Sequence, residues 1–153
     1  MRLIMCFVAG LLLITPPISM AESYLYKNII LEMPDGWSIY QDTYSDVGIQ
    51  FRQKDTDNLI AFILRAELLI DGTDPGALLK NHPVEHPVSS VQIGNYSGYF
   101  VTFMSKGKCM ANWFLGDGRD LLVAHFKGDC SSVDYTAVIS VIESIENRAH
   151  AIN

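Results

Sequence analysis

Cysteines, histidines and paired aspartates are the residues of this chain that could do chemistry. Cys109 and Cys130 stand apart from Cys6, which lies in an apolar run at the N-terminus. In an oxidising compartment an even pair most simply forms one disulfide, the other reading being two free buried thiols. A zinc site would need more ligands than are in sight, and a redox-active pair is more often C-x-x-C. His82 and His86 have the i, i+4 spacing of two zinc ligands. Pro83 and Pro87 forbid the helix that would aim them at one ion, and Glu85 is not placed as in H-E-x-x-H, so they read as solvated loop histidines. His125, between Ala124 and Phe126, reads as a core or sheet-face histidine, since the sequence offers it no partner for general-base work. Gly94-Asn95-Tyr96-Ser97-Gly98 sets its serine one place late for a nucleophile elbow, with no helix behind it, and reads as a hairpin. These residues assemble no catalytic set, so the expectation is a non-enzymatic protein with no cofactor and no metal.

The aspartates come in pairs on turns: Asp55 with Asp57, Asp71 with Asp74, Asp117 with Asp120. No stretch matches the D-x-[DN]-x-[DN]-G loop with its closing glutamate, so calcium has no motif here. Turn formation accounts for most of them, because Asp caps helices and bends the chain. Their other use is an acidic binding edge, which needs two of the loops at one end of a sheet and would steer a basic protein partner. On that reading Asp55, Asp57, Asp71, Asp74 and Asp117 are the partner-binding candidates. Trp37, Tyr40, Tyr44, Tyr96 and Tyr99 fall on or beside hairpins, where they serve equally as interface anchors or as half-buried strand residues.

The elements that position these residues begin after a signal peptide. Arg2 precedes an apolar run from Leu3 to Ile14, too short to span a bilayer. Pro16 and Pro17 break it, and Ser19-Met20-Ala21 offers small residues to a signal peptidase, so cleavage is expected after Ala21. That predicts export to the periplasm and leaves residues 22–153 as a single domain. The net charge of −6 becomes more negative once Arg2 is removed. Such a balance argues against nucleic acid or an anionic lipid surface as partner, and no later segment is apolar and long enough to insert in a membrane.

Strands are expected over residues 28–33, 37–41, 47–52, 59–69, 90–94, 98–105, 108–115 and 119–127. Asp117-Gly118 between two apolar runs is the strongest hairpin signal. Asp74 with Pro75 predicts a short helix over 76–81. Ser131 or Ser132 is expected to cap a final helix whose apolar stripe is Val133, Ala137, Val138, Val141, Ile142 and Ile145. The fold class is therefore α+β: a largely antiparallel β-sheet with a short middle helix and a C-terminal amphipathic helix packed on it.

Leu31-Glu32-Met33-Pro34-Asp35-Gly36-Trp37 resembles the strand-Pro-x-Gly-Trp opening of PsbP-like domains. Val91-Gln92-Ile93-Gly94-Asn95-Tyr96-Ser97-Gly98-Tyr99 resembles the Gly-centred hairpin that follows their middle helix. The resemblance implies a non-enzymatic binding or accessory protein and brings no catalytic residues with it. Some exported bacterial members of this fold group resemble immunity proteins that neutralise type VI secretion toxins. The expected function is thus a periplasmic binding protein, most concretely an immunity protein whose partner is a cognate toxin. The alternatives are a PsbP-like envelope accessory factor, a small hydrolase using His125 or loop carboxylates, and a small-ligand carrier with an apolar pocket between sheet and helix.

Overall fold

Short turns with positive φ set the architecture. Lys106 and Gly107 have φ of 51° and 74°, the two-residue type I′ geometry that matches the twist of antiparallel strands. Gly94 at φ 56° opens the neighbouring two-residue turn, where Ile93 pairs with Tyr96. Gly36 at φ 79° completes the Pro34-Asp35-Gly36 turn, which is closed by Trp37 N–H donating to the Pro34 carbonyl at 3.1 Å.

The computed structural model describes residues 22–26, 29–41, 48–66, 74–81, 86–118 and 120–147. The expected signal peptide, Tyr44, Asp71 and His82 lie outside them. In chain order the strands are β1 (Glu22–Tyr26), β2 (Ile29–Met33), β3 (Trp37–Gln41), β4 (Gly48–Gln53), β5 (Leu59–Ala66), β6 (Val88–Ile93), β7 (Tyr96–Ser105), β8 (Lys108–Gly116), β9 (Asp120–Gly128) and β10 (Glu146–Asn147). A 3-10 helix covers Pro75–Asn81, and the α-helix α1 covers Tyr135–Ser144. A seven-stranded sheet runs in the order β3-β4-β5-β9-β8-β7-β6, and a smaller sheet is β1-β2-β10. All pairings are antiparallel.

One face of the large sheet carries the core. Ile49, Phe51, Ile60, Trp113, Leu122 and Phe126 meet Ala137, Val138, Val141 and Ile142 of α1 and Leu31 of β2. Tyr135, at the start of α1, turns its ring edge-on to Phe100, Trp113 and Phe126 at 5.4–5.7 Å, a favourable arrangement of aromatic quadrupoles. At the other end of the helix, Ser144 Oγ accepts from Glu32 N–H at 2.8 Å and ties α1 to β2. The opposite face is covered in part by the 3-10 helix, which lies on β7 and β8.

The α+β class holds, and three local expectations change. Over Pro75–Asn81 the chain forms 3-10 turns in place of the short middle helix expected over 76–81. Seven residues beginning Pro-Gly are too few to repay α-nucleation, and Ala77 N–H closes on the Asp74 carbonyl three residues back at 2.8 Å. The cap of α1 is Asp134, whose carboxylate accepts from Thr136 N–H, not Ser131 or Ser132. Ser131 is engaged earlier, donating from its N–H and hydroxyl to Asp129 Oδ1 at 3.0 and 2.9 Å. Finally β1, which no expected element includes, and β10, whose Glu146 is expected on the outer face of the final helix but follows its end at Ser144, extend β2 into its own sheet.

Candidate functional site

Cys109, on β8, is bonded to Cys130, just past the end of β9. Cys109 faces Gly128 across the ladder, so the bridge pins the chain where it leaves the sheet for α1. The disulfide closes a separation of 21 residues.

The aspartates fall into two groups at opposite ends of the large sheet. Asp55 and Asp57 lie in the β4–β5 turn, next to the pairs Arg52–Leu59 and Leu59–Lys127. Asp55 takes up the left-handed conformation at φ 59°, which Asp tolerates better than most residues. Asp57 forms an ion pair with Lys108 at 3.5 Å. This end is therefore mixed in charge, with Lys54, Lys106 and Lys108 in the same turns.

Asp74 and Asp117 lie at the other end, beyond the Gly116–Leu121 pair. Asp74 Oδ1 accepts from Gly76 N–H at 2.9 Å, and Asp117 Oδ1 accepts from Asp120 N–H at 2.7 Å. Both side chains are exposed while holding their turns. Between their loops lies a cavity of about 600 Å³ whose walls include Asp74, Ser90, Gln92, Ser97, Tyr99 and Gly118. Asp120 is fully buried beneath this end. The hydroxyl of Tyr96 is pushed well above the usual tyrosine range, first by burial and then by Asp117 and Asp120. The acidic edge considered from sequence thus has Asp74 and Asp117 at one end and Asp55 and Asp57 at the other.

The histidines also acquire surroundings. His86 is half-buried and stacked on Phe103 with ring centroids 4.8 Å apart, not a solvated loop residue. His125 lies on the sheet face opposite α1, where its Nδ1 meets Asn112 Oδ1 at 2.5 Å. Burial, and then Lys127, hold the imidazole below its ordinary pKa of 6.5. A carbonyl acceptor at Nδ1 fixes the neutral tautomer with the proton there. Among the described residues no group of three or more His, Cys, Asp or Glu is placed to hold a metal ion, and no helix is long and apolar enough to cross a membrane.

No family model matches the chain, and no curated protein does. Solved structures do match in shape. The solution structure of cyanobacterial PsbP (CyanoP) from Synechocystis sp. PCC 6803 aligns with a TM-score of 0.52 at 11% identity, covering 90% of this chain and 99% of that one. The fold is PsbP-like. A crystal structure from Bacteroides thetaiotaomicron VPI-5482 aligns with a TM-score of 0.61 at 16% identity, covering 81% of this chain. This chain spans only 46% of that protein's length.

Within the PsbP-like frame, the residue that sequence reasoning missed is the partner of His125. Asn112 faces it directly across β8 and β9. A two-residue turn at Asp117-Gly118 would have set Asn112 opposite Val123 instead. The turn is longer, with Gly116 paired to Leu121. The signal was Asp120, whose N–H returns to the Asp117 carboxylate.

Proposed function

We propose that this chain is an exported, non-enzymatic binding protein whose partner is another protein with a basic contact surface. The observation that carries the reading is the end of the sheet where Asp74 lines a cavity and Asp117 stands exposed between its lining residues Gly116 and Gly118. Their carboxylates already hold the turns in place, so a basic partner meets charges that need no reordering. The PsbP-like fold supports the accessory form of this reading, an envelope factor that binds and positions another protein. The more specific form is a periplasmic immunity protein that occludes the active cleft of a secreted antibacterial toxin; net negative charge and the expected signal peptide support it.

Asparagine at both positions keeps the turn hydrogen bonds and removes the charge. An effector encoded beside this protein, directed to the periplasm, is co-expressed with the parent or with the Asp74→Asn/Asp117→Asn variant. Immunity requires that the parent restore growth and that the variant protect at least tenfold less. Equal killing with and without the parent sinks the toxin form. In-cell cross-linking from either end of the sheet then tests the accessory form, which expects capture at Asp74 and Asp117; capture only at Asp55 and Asp57 sinks that choice of surface.

A further inference from the structure

The sheet face turned away from α1 holds a hollow of about 410 Å³, well inside the range of small-molecule sites. Its floor is a single cross-strand row, Gln50–Ala61–His125–Asn112, running from β4 to β8. Ala61 is the small member of that row. A methyl group between a glutamine and a histidine leaves the space that a Leu or Phe there would fill. Leu59 and Lys127 border the hollow in one neighbouring row, Val123 and Phe114 in the other.

Three observations point to an occupant. First, Gln50, only 7% exposed, lines the hollow and puts a polar side chain in its wall. Its amide presents both a donor and an acceptor to a group that enters from outside. Second, with Nδ1–H of His125 directed to Asn112, the imidazole keeps Nε2 as an acceptor. Third, the three rows around the hollow contain Arg52 and Lys127 and no acidic residue. In a chain of net charge −6, that face is locally cationic. Arg52, off the lining itself, is held over the ring of Tyr40 at 4.2 Å, a cation–π contact.

We propose that this hollow binds a small apolar anion carrying an N–H or O–H group: the anion at Lys127, the donor at His125 Nε2, the amide of Gln50 paired to either. The apolar body rests over Ala61 against Leu59, Val123 and Phe114. The site goes beyond the protein-binding reading and does not depend on it, since Asp74 and Asp117 lie off its lining.

8-Anilinonaphthalene-1-sulfonate has an aromatic body, one anionic group and one N–H, and serves as the probe. Titrated into the purified protein, it should bind saturably at one site with enhanced fluorescence and shift the His125 ring resonances in NMR spectra. Lys127→Glu, at an exposed position, should weaken binding at least tenfold with the melting temperature unchanged. Gln50→Met should weaken it several-fold, and Ala61→Leu should abolish it by filling the hollow. The uncharged analogue N-phenyl-1-naphthylamine should bind at least tenfold less tightly. Should Ala61→Leu fail to fold, Lys127→Glu and the uncharged analogue still decide. Non-saturable binding, or affinity within twofold of the parent in Lys127→Glu, overturns the proposal.

Discussion

At the scale of single residues, two polar side chains carry testable weight. His125 has a folded-state pKa below its ordinary value, with burial as the main cause. The unfolded chain then binds more protons than the folded one as pH falls through the ordinary value near 6.5, so stability is full above that pH and declines below it. The melting temperature should drop between pH 7 and pH 5, and His125→Gln should flatten that part of the profile. An unchanged slope in the variant would assign the acid sensitivity elsewhere. Asn58 is fully buried and joins three segments. Its Nδ2 donates to Gln53 Oε1 at 2.7 Å and to the Ser132 carbonyl at 3.1 Å, and its Oδ1 accepts from Asp129 N–H at 3.1 Å. Gly128 packs so closely that a Cβ there would come within 2.2 Å of Asn58 Oδ1. Asn58→Ala should therefore cost about 3 kcal/mol in urea denaturation. A loss under about 1 kcal/mol would mean that water replaces the asparagine.

At the scale of elements, the disulfide permits the cleanest prediction. Cross-linking Cys109 to Cys130 restricts the unfolded chain over 21 residues, worth about 3 kcal/mol by loop-closure entropy. The Cys109→Ala/Cys130→Ala variant should lose about that much in equilibrium unfolding, and the parent should lose the same under reductant. If reductant lowers the variant's stability equally, the bridge is not the cause. The pairing was legible because Cys109 and Cys130 are the two cysteines that lie beyond the N-terminal apolar run. Trp37–Gln41 was legible to its bounds, since Pro34-Asp35-Gly36 before it is a turn with a physical reason at each residue. The long apolar stretch from Leu59 was correctly a central strand, here Leu59–Ala66, because β4 and β9 flank it on either side. What stayed hidden depends on distant partners. β10 is two residues long and exists only by pairing with Ile29 and Ile30. Asp134 outcompeted Ser131 as cap because Asp129 had already drawn that serine into a turn. The row beneath the sheet-face hollow needs the register of four strands, and Gln50 and Ala61 carry no local signal at all.

At the scale of the whole molecule, the two ends of the sheet differ in electrostatic character. Asp74 and Asp117 stand at one end, while at the other Asp57 is paired with Lys108. A basic partner approaching the first end should associate more slowly as salt rises from 0.05 to 0.5 M, because the Debye length shrinks over that range. The Asp74→Asn/Asp117→Asn variant should lose most of that dependence in stopped-flow measurements. An association rate insensitive to salt in the parent would remove the acidic end from the encounter. The sheet itself is two local meanders, β3-β4-β5 and β6-β7-β8-β9, joined only where β5 pairs with β9. During synthesis the first meander is complete at Ala66, while its neighbour is not finished until Gly128. At about 5–20 residues per second that interval lasts several seconds. Throughout it, β5 offers an unpaired, largely apolar edge to any other extended chain. The protein's period of greatest vulnerability to mispairing is thus a delay in time, set by where β9 falls in the chain.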